Sequence, residues 1–203
     1  MSLLRANFRL AVKTSLLLAT AYLLMVPLVR GISNLDAVHS AECLEQAVIL
    51  IGIFLIVPLS GAEQSDEALE EVVRARKVPY WIILALRLIL SVLCIVLMVM
   101  AFAGIMKWQN CTFPLAVYVT GTVITAMALG CLGFAVSVLT RSVVAGYLAS
   151  FGYYFLNSMG SLSSSNPFYL FSMENGNYVS KVWLLAGSLL LIAIALIWTK
   201  KRK

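Results

Sequence analysis

Residues Val78 to Met106 read VPYWIILALRLILSVLCIVLMVMAFAGIM, an apolar run in which Arg87 is the only charged residue. A helix needs roughly 20 such residues to cross the hydrocarbon core of a bilayer, so this run is long enough to span a membrane. Similar runs recur along the chain, whose 203 residues are 62% hydrophobic and only 12% charged. A soluble domain has too little interior to bury that much apolar surface. The sequence therefore predicts an all-α membrane protein.

The apolar runs predict about six transmembrane helices in a single domain that covers residues 1–203. The predicted spans are Leu10 to Val29, Cys43 to Ser60, Val78 to Met106, Pro114 to Thr140, Val143 to Leu162 and Val182 to Thr199. The second span is the most irregular of them, because Pro58 interrupts it and Glu45 lies near one end. No small-residue cleavage site follows the first run, so we expect it to be retained as a helix.

The basic residues indicate how these spans are oriented. With six spans, eleven Lys and Arg residues fall on one side of the membrane and three on the other, and Arg87 lies within the third span. Loops rich in Lys and Arg stay in the cytoplasm, so this bias predicts that both termini are cytoplasmic. The larger group is Arg5, Arg9, Lys13, Arg74, Arg76, Lys77, Arg141, Lys200, Lys201, Arg202 and Lys203; the smaller is Arg30, Lys107 and Lys181.

One strongly charged segment lies between the second and third spans and holds five of the nine acidic residues. Ser60 and Glu63 fit the capping box that begins many helices, and basic residues close the segment, which suits the helix dipole. Glu70 and Arg74 form a favourable i, i+4 pair. The pattern predicts a short amphipathic cytoplasmic helix over residues 61–77. A solvated connector is the alternative interpretation, and a docking helix for a cytoplasmic partner is the functional one.

Three short motifs together resemble the ABC-2 type transporter permeases. They are EEVVRARKVP from Glu70 to Pro79, GFAVSVLTRS from Gly133 to Ser142, and Asn166-Pro167-Phe168 before the last span. In such permeases the segment after the second span is a coupling helix seated in a separate ATP-binding subunit. The resemblance thus implies an exporter subunit in a bacterial plasma membrane, paired with a second permease that is identical or related. The residues expected to dock the ATPase are Glu67, Glu70, Glu71, Arg74 and Arg76.

The chain carries no G-x-x-x-x-G-K-[ST] phosphate loop, so we expect no cofactor in this chain and ATP on the partner subunit. We do not expect an enzyme, because an intramembrane protease needs a partnered Ser and His or an H-E-x-x-H motif. We expect the lipid bilayer as a further partner and no nucleic acid.

Two other functions remain open. A six-span substrate-binding subunit of a vitamin uptake system has a similar length, and Ala11, Ser15 and Ala19 give the small-residue spacing that helix docking uses. A non-transporting immunity or sensor protein on the same scaffold is the other alternative.

Several polar and small residues have a structural interpretation and a functional one. His39, Glu42 and Glu45 are close enough in sequence for a metal or proton site, although a lone histidine in a short outer loop is more often solvated. No metal site is predicted. Cys43 and Cys111 both fall at the predicted outer face, where a disulfide is an alternative to free thiols. Small residues in the fourth and fifth spans predict close helix packing; they are Gly121, Ala126, Gly130, Gly133, Ala145, Ala149 and Gly152.

Overall fold

The computed structural model describes residues 13–63, 80–160, 162, 166–174 and 176–201. All regular elements within these residues are helical, as the composition predicts. The α-helices are α1 Lys13–Arg30, α2 Ala37–Glu42, α3 Ile51–Ile56, α4 Tyr80–Trp108, α5 Leu115–Thr140, α6 Val143–Ser158 and α7 Val179–Lys201.

Four helical stretches of the described chain are long and apolar enough to cross a bilayer: Ala37–Gly61, Leu84–Trp108, Leu115–Thr140 and Val179–Thr199. They correspond to the predicted second, third, fourth and sixth spans. The first and fifth predicted spans coincide with shorter helices, namely the apolar stretch Thr14–Arg30 within α1 and the 16 residues of α6. The regular structure of the described residues is therefore all helical and includes four candidate membrane spans, and six crossings stay a prediction.

The stretch Ala37–Gly61, here called the irregular span, changes helix type four times. After α2 it continues as a π-helix over Cys43–Ala47, a 3-10 turn over Val48–Leu50, α3, and a second 3-10 helix over Val57–Glu63. Pro58 lies in that last piece, and regular α-helix stops before it because proline supplies no N–H to the helix ladder. The interruption predicted at Pro58 is confirmed, whereas the π-helix around Glu45 was not predicted.

Tyrosine hydroxyls satisfy backbone carbonyls where the π-helix gives way to the 3-10 turn. Tyr154 donates to the carbonyl of Gln46 at 2.7 Å, and Tyr22 donates to the carbonyl of Ala47 at 3.0 Å. A change of helix type leaves carbonyls without their usual i+4 partner, and such groups need other donors in an apolar setting. Two other helices thus stabilise the irregular backbone.

The irregular span and α5 form the buried centre of the bundle, whereas α4 and α7 expose most of their apolar side chains. The central helices are in backbone contact, since a Cβ atom on Gly52 would lie only 2.0 Å from the carbonyl oxygen of Ala126. The α5–α6 crossing is as close, because a Cβ on Gly146 would lie 2.4 Å from the carbonyl oxygen of Gly133. The predicted close packing is confirmed at Gly133. It is not found at Gly152, where a Cβ would meet no atom within 4 Å.

One end of the bundle joins the irregular span to the turn between α5 and α6. The hydroxyls of Ser60 and Ser137 lie 2.5 Å apart, and a Cβ on Gly61 would lie 2.8 Å from Val143 Cγ2. Ser60 also donates to the carbonyl of Val57 at 2.8 Å within the 3-10 helix. Ser60 thus lies within the 3-10 helix Val57–Glu63 and contacts α5, and the capping box stays a prediction because the helix it would begin lies outside the described residues. The predicted cytoplasmic helix over 61–77 lies, from residue 64 onward, outside the described residues.

The opposite end of the bundle joins the loop after α1 to the loop after α4. Asn34 donates its N–H to the carbonyl of Gln109 at 3.0 Å, and Thr112 donates to the carbonyl of Leu35 at 3.1 Å. Cys111 donates from Sγ to the carbonyl of Ile32 at 3.1 Å. All four cysteines lie among the described residues and are free thiols, so the disulfide considered between Cys43 and Cys111 is not formed.

Candidate functional site

A buried ion pair lies among the helices towards the end that holds these two loops. The ammonium of Lys181 donates to Oε1 of Glu45, to the hydroxyl of Thr125 at 2.7 Å and to the carbonyl of Leu170 at 2.6 Å. Glu45 is 0% exposed and Lys181 is 3% exposed. An ammonium group has three N–H donors, so Lys181 is fully satisfied within the protein.

Three different elements of the bundle supply the side chains of this site. Glu45 is the central residue of the π-helix Cys43–Ala47, and Lys181 lies in the first turn of α7. Thr125 lies ten residues into α5, which corresponds to about 15 Å along the helix axis. The ion pair therefore connects the irregular span, α5 and α7 well inside the bundle.

The burial of these two charges is costly, and the surroundings explain how the structure tolerates it. An unpaired charge inside an apolar bundle costs several kcal/mol, so intramembrane charges pair with each other or bind backbone groups. Glu45 also binds a backbone group, because it accepts the N–H of Met173, whose nitrogen lies 3.1 Å from each carboxylate oxygen. Such a pair adds little net stability over apolar residues, but loss of either partner leaves a stranded charge.

The ion pair also holds a non-helical piece of chain inside the bundle. Residues Leu170–Met173, here called the plug, are all between 0% and 3% exposed although they belong to the connection between α6 and α7. Glu45 and Lys181 bind the backbone of the plug as described, and Asn157 Oδ1 accepts the N–H of Leu170 at 3.0 Å. Irregular backbone is tolerated at such depth only where protein groups satisfy it.

The small residues of α5 make room for the plug. A Cβ atom on Gly121 would lie 2.3 Å from Sδ of Met173, so the absence of a side chain there leaves space for that methionine. The ring of Phe171 packs edge-on against Tyr154, with ring centroids 5.8 Å apart. In the chain that precedes the plug, Phe168 accepts a hydrogen bond at its carbonyl from the hydroxyl of Tyr153 at 2.5 Å. Tyr153, Tyr154 and Asn157 of α6 thus bind backbone groups of other segments.

The structure describes only some of the site residues that the sequence predicts. The predicted ATPase-docking residues Glu67, Glu70, Glu71, Arg74 and Arg76 lie outside the described residues. His39 Nδ1 lies 3.4 Å from Glu42 Oε2 on the surface, whereas Glu45 is turned into the bundle towards Lys181. The three residues therefore do not converge, and the described chain holds no group of three or more His, Cys, Asp or Glu side chains suited to a metal ion.

The pairing of Glu45 with Lys181 is the feature that sequence reasoning missed. Lys181 directly precedes an apolar run, a position that is typical of a charge flanking a membrane span. The available signal was Glu45 itself, a carboxylate at the edge of an apolar run that needs a positive partner. Among the basic residues assigned to the same side, only a comparison of burial distinguishes Lys181 from Arg30 and Lys107.

Searches with this chain against protein-family models, curated proteins and solved structures found no match. The functional conclusion therefore depends on the residues and their geometry.

Proposed function

We propose that the chain is the membrane-spanning permease subunit of an ATP-binding cassette exporter, driven by a separate ATPase subunit. In this proposal six helices cross the plasma membrane of a bacterium, with both termini in the cytoplasm. The charged segment of residues 61–77 docks the ATPase, and a second permease subunit, identical or related, completes the path. The observation that carries the proposal is the attachment of that segment to the buried centre of the bundle.

That attachment supports a mechanical role for the charged segment. The segment follows Ser60, which contacts Ser137, and begins with Gly61, which lies against Val143, at the junction of the irregular span with α5 and α6. It ends at α4, which begins at Tyr80. A push from a soluble subunit on a segment held between two packed helices moves the helices themselves, since tightly packed interiors transmit strain.

The distribution of basic residues supports the proposed orientation. Eleven Lys and Arg residues fall on the proposed cytoplasmic side of the six-span arrangement, and Arg30, Lys107 and Lys181 fall on the other. The positive-inside rule counts Lys and Arg residues and not net charge, so Lys181 stays in that count although it pairs with Glu45 inside the bundle. The bias of eleven against three favours a cytoplasmic position for the charged segment.

One observation disfavours the vitamin-uptake alternative. Docking of a scaffold protein through the first helix requires its small residues to face outward, but Ala19 is 0% exposed within this chain. The stripe of Ala11, Ser15 and Ala19 is thus partly used for internal packing. The immunity or sensor function differs from the permease in having no ATPase partner, so partner identity separates the two.

The proposal is tested by purification of the tagged full-length chain from its native membrane in mild detergent, with identification of the proteins that accompany it. We expect a soluble subunit with a phosphate-binding loop to accompany the wild-type chain and to be lost from the Glu70→Lys/Glu71→Lys variant. Glu174→Lys is a matched control, because Glu174 is an exposed carboxylate in the connection between α6 and α7. A wild-type preparation without such a subunit contradicts the permease function and favours the immunity or sensor alternative.

A further inference from the structure

The plug is an unusual way to fill the interior of a helical bundle. Leu170, Phe171, Ser172 and Met173 are fully buried, yet they belong to an irregular connection and not to a helix. A segment inside a helix is held by its own ladder of hydrogen bonds, whereas irregular chain depends on bonds to its surroundings. The position of the plug therefore depends on the side chains that bind its backbone.

Among the described residues, three side chains bind the backbone of the plug, and two of them carry opposite charges. Lys181 donates to the carbonyl of Leu170. Glu45 accepts the N–H of Met173, and Asn157 accepts the N–H of Leu170. Lys181 also donates to Glu45, so the same ammonium and carboxylate form the ion pair and two of the contacts with the plug. Separation of the pair therefore removes several plug contacts together.

The chain on either side of the plug has backbone conformations that suit a hinge. Gly160 lies two residues after the end of α6 with φ +72°, and Gly176 lies between the plug and α7 with φ +66°. Residues other than glycine adopt such angles at a cost. Both glycines have open space around them, since a Cβ on either would meet no atom within 4 Å. The plug thus lies between two glycines at which the backbone can change direction with little conformational strain.

We propose that the plug Leu170–Met173 closes the outer half of the bundle in this state, and that the Glu45–Lys181 pair is the lock that holds it closed. Separation of the pair releases the plug towards the outer side and leaves Thr125, Asn157 and the two charges lining the space. The link to transport rests on the proposed function, because an exporter must open its outer side. The closed plug and its lock are properties of the chain alone.

Cysteine labelling tests this proposal on the purified full-length chain in lipid nanodiscs, without any partner subunit. Ser172→Cys is placed in a background in which the four native cysteines are replaced by alanine, and its reaction with a charged maleimide is timed. We expect slow labelling in the locked chain and an increase of at least about tenfold when Glu45→Gln and Lys181→Met are added together. The double change removes both charges, so it avoids a stranded buried charge.

A second variant separates release of the plug from damage to the ion pair. Gly121→Ala places a methyl group where Met173 Sδ now lies and touches no other residue closely. We expect it to speed the labelling of Ser172→Cys, and we expect Met173→Ala, added to Gly121→Ala, to restore protection. Gly152→Ala is the matched control, because the added methyl meets no atom within 4 Å and labelling should stay slow.

Two reference positions decide how the rates are interpreted. Thr112→Cys is exposed in the loop before α5 and should react quickly in every variant, and Ser188→Cys is buried in α7 and should stay protected.

The proposal is overturned if Ser172→Cys reacts as fast as Thr112→Cys in the locked chain, or stays protected in both unlocking variants. Equal gains at Ser172→Cys and Ser188→Cys also overturn it, because they indicate general loosening. These outcomes do not depend on an ATPase, so they are distinct from failure of the proposed function.

Discussion

Lys181 and Glu45 form a buried ion pair that connects three elements of the apolar bundle to the plug. Lys181 donates to Glu45 and uses its other two donors on Thr125 and the carbonyl of Leu170, while Glu45 also accepts the N–H of Met173. No water is needed to explain the pair, since the three donors of the ammonium all meet protein acceptors. The cost of burial is thereby offset, but only while both partners are present.

This account predicts that Lys181→Met destabilises the chain more than the double variant Glu45→Gln/Lys181→Met. The single change leaves a buried carboxylate without its cation, which costs about 3–5 kcal/mol, whereas removal of both charges is closer to neutral. Thermal unfolding of the purified chain in detergent measures the difference. Equal destabilisation by the single and double variants would contradict the prediction, because removal of the stranded carboxylate would then bring no relief.

At the scale of elements, glycine determines how closely the central helices approach. The irregular span contacts α5 backbone to backbone at Gly52 and Ala126, and Gly130 lies at the same contact because its Cβ would meet the carbonyl oxygen of Gly52 at 2.6 Å. Helices in a membrane gain little from the hydrophobic effect, so they depend on close packing of this kind. The contact keeps the π-helix around Glu45 at a fixed distance from Thr125.

We therefore expect Gly52→Ala to be one of the most damaging small substitutions in the chain. The new methyl group would collide with backbone atoms that cannot rotate away, so the loss of stability should exceed the roughly 1–3 kcal/mol typical of overpacking. Gly104→Ala in α4 is the matched control, since its methyl meets nothing within 4 Å and alanine favours helix by about 1 kcal/mol. Unfolding temperatures of the two variants should move in opposite directions, and a similar fall in both would contradict the packing argument.

At the scale of the whole molecule, the sequence predicted the helical class and the position of the long apolar helices. The predicted spans Val78 to Met106 and Pro114 to Thr140 differ from α4 and α5 by no more than two residues at either end. These elements are predictable because their composition alone makes lipid the preferred solvent. Breaks in α-helical geometry at Pro58 and close approach at Gly133 were predictable for similarly local reasons.

The irregular span and the plug were not predictable, because both depend on partners distant in sequence. The π-helix at Glu45 is stabilised by tyrosines of α1 and α6, and the burial of residues 170–173 depends on Lys181 and Asn157. A sequence pattern reports the preference of a segment but not the donors that another helix supplies. The predicted docking residues lie in the segment outside the described residues, so their role remains a prediction.

The central claim is that the charged segment contacts an ATP-binding subunit in the cytoplasm, and site-specific photo-crosslinking in the native membrane tests it most directly. A photoreactive p-benzoylphenylalanine is placed at Glu67 in the segment, or at Thr112 in the loop at the other end of the bundle, and adducts are identified after irradiation. We expect position 67 to crosslink to a soluble protein that carries a phosphate-binding loop, and position 112 not to. Adducts with lipid alone at position 67, or the same soluble protein at both positions, would contradict the account.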